Sequence, residues 1–214
     1  MRSLILAGGE FPPLSWLSSV YCPGDLVIAA DRGGMLAHQA NLPLDILVGD
    51  FDSLPSSFDR SAFPSAEVRS FPCDKDYSDT EIALRVAAEK GCQEALIVGA
   101  LGGRYDHSLF NTIAVLELAD QLGMRAALRT PDTYVRQLTS TQELALNDFN
   151  GWHCSLIALD EEVAISMQGL LYNGSSLVLK RASTRGLSNE VIGPTPLVTA
   201  KRGRILLVLT NPAL

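Results

Sequence analysis

Closely spaced aspartates are the residues of this sequence that most clearly could perform chemistry. Asp50 and Asp52 follow a short apolar run, and Asp74, Asp76 and Asp79 form a second group further along the chain. In extended chain the side chains of residues i and i+2 point to one side, so Asp50 and Asp52 can converge on one ion. Mg²⁺ suits such a place, because it takes one or two carboxylates and completes its octahedron with water and substrate phosphates. A turn or a helix cap is the alternative interpretation of such a pair, and Asp79 could simply oppose a helix dipole.

A glycine-rich segment, residues 99–107, offers a second kind of chemistry. Its glycines allow backbone N–H groups to approach an anion closely, and the helix predicted to follow adds a favourable dipole. Arg104 can form two hydrogen bonds with phosphate oxygens. The segment matches neither of the common glycine-rich phosphate motifs, so a tight turn with Asp106 as helix cap and His107 as a packed histidine stays open.

Short apolar runs alternating with helical patterns must position these residues. The predicted strands of the first half span residues 4–7, 26–30, 46–49, 95–100 and 125–128. They are apolar throughout, as is typical of a parallel sheet covered by helices on both faces. In such sheets ligands bind at the carboxyl ends of the strands, where these acids and glycines fall.

Helix signals separate the predicted strands. Ser78 and Glu81 form the S-x-x-E pattern of a capping box, and Gly91 ends the helix that they begin. A later helix, closed by Gly123, is expected to bury one apolar stripe. That stripe consists of Leu109, Ile113, Leu116 and Ala119.

The pattern changes after Pro131, where the helical period disappears. Short β-like stretches separated by Gly, Asn and Asp span residues 134–138, 155–159, 163–167, 176–179, 197–200 and 205–209. This spacing favours a small β-sandwich. The predicted fold is therefore a Rossmann-like parallel α/β domain, residues 1–132, followed by a C-terminal β-sandwich, residues 133–214.

Charge and cysteine usage limit the possible partners and location. The chain carries 17 Lys and Arg against 24 Asp and Glu, and the net charge of −7 argues against nucleic-acid binding, which requires a basic surface. No apolar run approaches the roughly 20 residues of a membrane span, and the apolar run near the N-terminus is too short for a signal peptide. The four cysteines are scattered without a C-x-x-C pair. We expect a cytoplasmic protein with no membrane partner.

Taken together, the motifs resemble those of the thiamine pyrophosphokinase family, in the same order along nearly the whole chain. They are Asp31-Arg32-Gly33, Gly49-Asp50-Phe51-Asp52-Ser53, Lys75-Asp76-x-Ser78-Asp79-x-Glu81, Gly102-Gly103-Arg104-x-Asp106-His107-x-x-x-Asn111 and Ser188-Asn189. Two departures are visible. Ser78 stands where the family commonly has Thr, which keeps a hydroxyl group, and Arg32 interrupts the Asp-Gly-Gly of many members.

The resemblance implies a transferase that moves a pyrophosphoryl group from ATP to the hydroxyl of thiamine, giving thiamine diphosphate and AMP. It also implies a homodimer with thiamine bound near the subunit interface. The catalytic acids expected on this basis are Asp50, Asp52, Asp76 and Asp79, of which Asp50, Asp52 and Asp76 hold Mg²⁺. The expected nucleotide and phosphate contacts are Asp31, Arg32, Lys75, Arg104, Asp106 and His107. The expected thiamine contacts are Asp79, Asn111, Ser188 and Asn189.

Three other functions fit some of the same residues. Another pyrophosphokinase on the same scaffold, for instance one acting on a hydroxymethylpterin, would need the same acids, because they recognise ATP and metal rather than the acceptor. An Asp-x-Asp phosphatase or nucleotide-sugar transferase would also hold Mg²⁺ with paired acids. A non-catalytic nucleotide or thiamine sensor would bind its ligand without turnover.

Overall fold

A computed structural model of the protein describes residues 1–51, 62–72, 74 and 76–213. The chain divides into two units, Met1–Pro131 and Asp132–Leu214. Each unit has an apolar core of its own. In the described ranges, no helix is long and apolar enough to cross a membrane.

The N-terminal unit is built on a parallel sheet. Its strands are β1 (Arg2–Leu6), β2 (Leu26–Ala30), β3 (Ile46–Gly49), β4 (Glu67–Ser70), β5 (Glu94–Val98) and β6 (Arg125–Arg129). Among the described strands the order is β6-β5-β1-β2-β3-β4, and each neighbouring pair is parallel. The chain therefore proceeds from β1 to one edge and then returns to the other side of β1, which puts the topological switch point between β1 and β5.

Helices connect these strands. They are α1 (Leu14–Val20), α2 (Gly33–Gln39), α3 (Asp79–Glu89), α4 (Tyr105–Phe110) and α5 (Leu116–Gln121). Helix α3 begins where the sequence predicts, because Ser78 Oγ accepts a hydrogen bond from the Glu81 N–H at 3.2 Å. The second half of the predicted capping box is absent from the described contacts, since the Glu81 carboxylate pairs with Arg85 one turn later at 2.8 Å. Helix α3 packs against β1, β2 and β3 and so fixes Asp79 at the carboxyl edge of the sheet.

The apolar stripe predicted along residues 109–119 is wrong in its first half. Leu109 and Ile113 are 43% and 49% exposed, whereas Leu116 and Ala119 are buried. A π-helical turn, Asn111–Val115, lies between α4 and α5. One extra residue per turn rotates the following helix by about 100°, so a single 3.6-residue period cannot describe both halves.

The C-terminal unit is an antiparallel β-sandwich. Its strands are β7 (Thr133–Leu138), β8 (Glu143–Ala145), β9 (His153–Ala158), β10 (Glu162–Gln168), β11 (Gly174–Lys180), β12 (Asn189–Glu190), β13 (Leu197–Arg202) and β14 (Ile205–Thr210). Over residues 132–213 one layer has the order β12-β9-β14-β7 and the other β11-β10-β13-β8. Residues from both layers, such as Leu207 and Ile165, share one buried core. The predicted fold class, parallel α/β followed by a β-sandwich, is confirmed.

Candidate active site

A cavity of 760 Å³ lies at the carboxyl ends of the parallel strands in the N-terminal unit. Its walls come from the segments that follow β1, β2 and β5 and from the first turns of α3 and α4. The lining residues are Ala7, Gly8, Gly9, Glu10, Ala30, Asp31, Arg32, Ser78, Asp79, Thr80, Gly99, Ala100, Gly102, Gly103, Arg104, His107 and Asn111. The cavity therefore occupies the switch point of the sheet, the expected ligand position in an open α/β fold.

The floor of the cavity depends on a close backbone approach between the segments after β1 and β5. The Gly9 N–H donates to the Gly99 carbonyl oxygen at 2.9 Å. A Cβ atom at Gly9 would lie 2.4 Å from that oxygen, so no larger residue fits there without a shift of the backbone. Glycine at this position keeps the two loops joined and the cavity open above them.

The acidic side of the cavity is formed by unusual backbone at the ends of β2 and β3. Asp31 and Phe51 both have positive φ angles, 46° and 66°, which are costly for residues with a Cβ atom. The Phe51 N–H donates to Asp31 Oδ1 at 3.1 Å, and a Cβ atom at Gly49 would lie 1.9 Å from the same oxygen. The two strand ends are thus shaped around the Asp31 carboxylate.

Three carboxylates lie close enough to influence one another. Burial raises the pKa of Asp31 to about 7, and the negative charge of Asp79 is the next largest cause. The hydrogen bond from Phe51 N–H opposes this rise, whereas a hydrogen bond shared with Asp79 and the charge of Asp50 add to it. Burial and the neighbouring negative charges therefore disfavour ionisation of Asp31.

This donor set suits Mg²⁺. The ion prefers hard oxygen ligands, and its charge would relieve the repulsion among Asp31, Asp50 and Asp79. Among the described residues, no three His, Cys, Asp or Glu side chains are already arranged to hold a metal ion by themselves. Mg²⁺ commonly takes only one or two carboxylates from the protein and the rest of its ligands from water and phosphates, so two acids of this cluster suffice.

Two other residues of the predicted metal set are Asp52 and Asp76. Asp52 lies outside the described residues, as does Lys75, a predicted phosphate contact. Asp76 is exposed, and it is not among the described residues that line the cavity. The structure brings together Asp31, Asp50 and Asp79 and leaves the ligand role of Asp76 as a prediction.

The glycine-rich segment adds a cationic side chain to the lining of the cavity. Arg104 donates two hydrogen bonds to Asp106, from Nε at 3.1 Å and from Nη2 at 2.6 Å. These bonds lower the pKa of Asp106 to about 2. The His107 N–H also donates to Asp106, at 3.0 Å, and His107 lines the cavity. Asp106 thus orients the Arg104 guanidinium, which remains exposed toward solvent and available to an anion.

Asn111 stabilises this segment through a side-chain hydrogen bond. The residue is buried at the junction of α4 with the π-helical turn, and its Nδ2 donates to the Ala100 carbonyl oxygen at 2.8 Å. This bond ties the glycine-rich segment to the helix that follows it. Such π-helical turns are frequent at functional sites.

Two further residues line the cavity, the predicted contact Arg32 and the unpredicted Glu10. Arg32 lines the cavity with its guanidinium carbon 5.6 Å from the centre of the Phe11 ring. Glu10 also lines it, beside Gly102, and was not among the predicted contacts. The signal that could have found Glu10 is its position after the first strand, because Asp31 and Asp50 likewise follow β2 and β3.

Ser188 and Asn189, the other predicted thiamine contacts, lie in the C-terminal unit. Asn189 lines a cavity of 280 Å³ in that unit, together with Tyr172, Leu187 and Arg185. Ser188 is exposed, and its N–H donates to Ser155 Oγ at 3.1 Å. The Asn189 side chain is buried and hydrogen-bonded to the backbone of Tyr172.

Comparison with known proteins identifies the family. A model of the catalytic domain of thiamin pyrophosphokinase matches residues 19–127. The chain belongs to the thiamin pyrophosphokinase family. The thiamine pyrophosphokinase of Bacillus subtilis strain 168 is 26% identical over 208 residues, which covers 95% of this chain and 96% of that protein.

Solved structures of the family share the fold. The crystal structure of the Bacillus subtilis thiamine pyrophosphokinase matches with a TM-score of 0.88 at 25% identity, over 99% of both chains. That of Geobacillus thermodenitrificans matches with a TM-score of 0.83 at 26% identity, over 100% of this chain and 99% of that one. The thiamin pyrophosphokinase of Candida albicans shows the same fold at 13% identity, with a TM-score of 0.83 over 98% of this chain and 90% of that one.

The family match covers the acidic side and the glycine-rich side of the first cavity. Residues 19–127 include Asp31, Asp50, Asp79, Arg104 and Asn111. The smaller cavity of the C-terminal unit lies beyond that match, in a part of the chain that the full-length relatives cover.

Proposed function

We propose that the protein transfers a pyrophosphoryl group from ATP to the hydroxyl group of thiamine, giving thiamine diphosphate and AMP. The observation that carries this proposal is the cavity at the switch point of the sheet. Its lining combines repelling carboxylates with an oriented arginine on a glycine-rich segment. A site of this kind suits a polyphosphate bound together with a divalent cation.

The proposed reaction places specific demands on the site. The thiamine oxygen forms a bond to the β-phosphorus, and the bond from that phosphorus to the oxygen bridging it to the α-phosphorus breaks in line. AMP leaves with that oxygen, and the hydroxyl proton passes to solvent. A loose phosphoryl-transfer transition state needs little help from a base, so positioning and charge stabilisation are the main requirements.

The acids meet the requirement for charge stabilisation. We assign Asp50, Asp52 and Asp76 as the residues that would hold Mg²⁺, with Asp79 beside them as the fourth catalytic acid. Bound Mg²⁺ would neutralise charge on the polyphosphate. Asp79 shares a hydrogen bond with Asp31, and either carboxylate can also attract the cationic thiamine.

The nucleotide contacts follow from the other cavity walls. Arg104 would bind phosphate oxygens bidentately, because Asp106 already orients its guanidinium. His107, Arg32 and Asp31 line the same cavity. His107 and Arg32 can donate to the nucleotide, and Asp31 is the third proposed contact from these walls. Lys75 completes the proposed set.

The acceptor contacts divide between the two units of the chain. We propose Asp79 and Asn111 in the N-terminal unit and Ser188 and Asn189 in the C-terminal unit as thiamine-binding residues. We further propose that the N-terminal unit binds ATP and Mg²⁺, and that the C-terminal unit binds thiamine and forms a homodimer. The use of ATP as donor favours the cytoplasm as the location.

The direct test is incubation of the protein with ATP, Mg²⁺ and thiamine. We expect AMP and thiamine diphosphate in equal amounts and no AMP when thiamine is omitted. ADP as the nucleotide product, or AMP released without thiamine, would overturn the proposal. Competition between thiamine and a hydroxymethylpterin as acceptor distinguishes it from another pyrophosphokinase.

A further inference from the structure

The two arginines of the first cavity are positioned in different ways. Arg104 donates two hydrogen bonds to the Asp106 carboxylate. Arg32 is exposed and lines the same cavity, but among the described residues none accepts a hydrogen bond from its guanidinium or forms an ion pair with it. Arg32 therefore keeps its full positive charge for a ligand, whereas a carboxylate partly compensates the charge of Arg104.

The backbone at Arg32 is fixed by close packing against β1. A Cβ atom at the next residue, Gly33, would lie 1.8 Å from the Leu6 carbonyl oxygen. A Cβ atom at Gly8 would lie 3.2 Å from the Arg32 Cβ atom, so the segment after β1 also approaches closely. The Met35 N–H donates to the Arg32 carbonyl oxygen at 3.0 Å. Only the rotatable bonds of the Arg32 side chain therefore remain to be ordered before a ligand binds.

The aromatic ring of Phe11 contacts the far end of the Arg32 side chain. The guanidinium carbon lies over this ring, 5.6 Å from its centre. Phe11 is half-buried and packs against the apolar core of the N-terminal unit, so the ring is itself held in place. Phe11 is not among the described residues that line the cavity. Any effect of the ring on a ligand there must therefore pass through a neighbouring residue.

An aromatic ring can position a guanidinium without using its hydrogen-bond donors. The contact is an electrostatic attraction between the cation and the face of the ring, so the N–H groups of the arginine stay available. Arginine binds phosphate oxygens in pairs through these same groups. The contact with Phe11 therefore prepares Arg32 for an anion and leaves its charge uncompensated.

We propose that Phe11 is a positioning residue that acts through Arg32, and that Arg32 held in this way binds phosphate oxygens of the nucleotide rather than its base. The inference rests on the proposed function, which supplies ATP as the ligand. It adds a residue that does not line the cavity to those that determine the affinity for ATP. It also distinguishes an arginine oriented by a carboxylate, Arg104, from one oriented by a ring.

Equilibrium titration of the protein with ATP in the presence of Mg²⁺ tests the inference without the acceptor. Phe11→Leu keeps an apolar side chain but removes the ring, and it should raise the Kd for ATP about threefold to fivefold. Phe11→Tyr keeps the ring and should restore the Kd to within about twofold of the unaltered protein. Inorganic tripolyphosphate has no base, and its Kd should rise in Phe11→Leu by the same factor as that of ATP.

A double-mutant cycle shows whether the ring acts through the arginine. Arg32→Ala should raise the Kd for ATP about tenfold, and Phe11→Leu should add nothing in that background. Phe63→Leu is the matched control, because Phe63 packs against the same core and does not line the cavity in the described part of the chain. This control should leave the Kd unchanged. If Phe11→Leu does not fold, Phe11→Met replaces it in the same cycle.

Other results would overturn the inference. If the two factors multiply in the double variant, Phe11 affects the nucleotide independently of Arg32. An unchanged Kd in folded Phe11→Leu would show that the ring does not position the arginine. A rise for ATP without one for tripolyphosphate would assign Arg32 to the base. If the unaltered protein binds ATP but forms no thiamine diphosphate, the proposed function fails and the titrations still decide this inference, whereas absence of ATP binding overturns both.

Discussion

Asp31, Asp50 and Asp79 come from three separate stretches of chain and meet at one end of the parallel sheet. Burial, together with the negative charges of Asp79 and Asp50, raises the pKa of Asp31 to about 7. Acids in such proximity reduce the stability of the fold unless a cation shares the space. The same arrangement is what a site for a metal-bound polyphosphate requires, so the unfavourable local electrostatics has a functional explanation.

Removal of one charge from this cluster should reduce turnover much more than it affects folding. We expect Asp50→Asn, which keeps the shape of the side chain, to lower kcat by about 10²–10³, by analogy with the loss of one preorganised electrostatic group. Steady-state AMP formation at saturating ATP and thiamine measures this change. Asp148→Asn, at an exposed position in the C-terminal unit, is the control and should keep normal turnover. Turnover of Asp50→Asn within threefold of the unaltered protein would exclude Asp50 from the catalytic acids.

Two features of the structure require glycine at position 49, namely its backbone conformation and its close approach to Asp31. Its φ is 145°, and a Cβ atom there would lie 1.9 Å from Asp31 Oδ1. We expect Gly49→Ala to lower the free energy of unfolding by about 1–3 kcal/mol and to displace Asp31, with loss of activity. Urea unfolding and AMP formation measure the two effects.

A substitution at Gly24 distinguishes the effect of backbone conformation from the effect of crowding against Asp31. Gly24 also has a positive φ, 95°, but a Cβ atom there would meet nothing within 4 Å. Gly24→Ala should therefore be destabilised only by its backbone conformation and should retain activity. Equal loss of activity in Gly24→Ala and Gly49→Ala would show that crowding against Asp31 is not the cause.

At the scale of elements, helix α3 delivers Asp79 to the cavity, and Ser78 caps the start of this helix. Ser78→Ala removes the acceptor for the Glu81 N–H and should lower the free energy of unfolding by about 1 kcal/mol. Ser78→Thr retains the hydroxyl group and should stay within a few tenths of the unaltered protein. Denaturant midpoints of the two variants check this. Equal stabilities for Ala and Thr would mean that the side-chain cap contributes nothing.

In the C-terminal unit, an ion pair joins two turns of the sandwich. Asp160, after β9, accepts from Arg204 Nη2 at 2.7 Å and from the Arg204 backbone N–H at 2.7 Å, just before β14. The hydrogen bonds from Arg204 lower the pKa of Asp160. A carboxyl with a lowered folded pKa stabilises the protein above its unfolded pKa, about 3.9, and this contribution is lost as pH falls through the folded value.

Asp160→Asn should therefore destabilise the protein in a pH-dependent way. We expect a loss of about 1 kcal/mol at neutral pH, a figure reduced for the partial exposure of the pair, and a smaller difference from the unaltered protein as pH falls below about 4. Unfolding curves between pH 7 and pH 3 measure the difference. Glu161→Gln, at the neighbouring exposed position, is the control. A difference that stays constant or grows toward low pH would contradict the assignment.

Much of the fold could be predicted because buried parallel strands are apolar throughout. β2 and β3 match their predicted ranges for this reason. β4 escaped prediction because its residues are mostly exposed and it has no apolar run, and β8 and β12 are too short to show a period. The stripe along residues 109–119 failed because a π-helical turn changes the phase of the helix, and no residue pattern marked that turn.

The candidate site likewise has features that the sequence predicts and features that it does not. Acids directly after strands could be placed at one edge, because the carboxyl ends of parallel strands meet there. The pairing of Arg104 with Asp106 is local, because the two residues are only two positions apart. The hold of Asn189 on Tyr172 joins residues 17 positions apart across a turn, and only the folded chain brings these groups together.

For the molecule as a whole, we propose an ATP-binding cavity in one unit and an acceptor cavity in the other. Each 23.0-kDa chain carries exposed apolar residues in both units, including Tyr105 and Phe110 in α4 and Leu187 beside the smaller cavity. Exposed apolar residues of this size favour contact with another protein surface, in keeping with the proposed homodimer.

The central claim is the transfer of an intact pyrophosphoryl group, and the position of an isotopic label tests it most directly. The protein is incubated with Mg²⁺, thiamine and ATP labelled at either the α- or the β-phosphorus. The account predicts that the β-label appears in thiamine diphosphate and the α-label in AMP, with neither product formed after chelation of Mg²⁺. A β-label that stays with the nucleotide as ADP would contradict it.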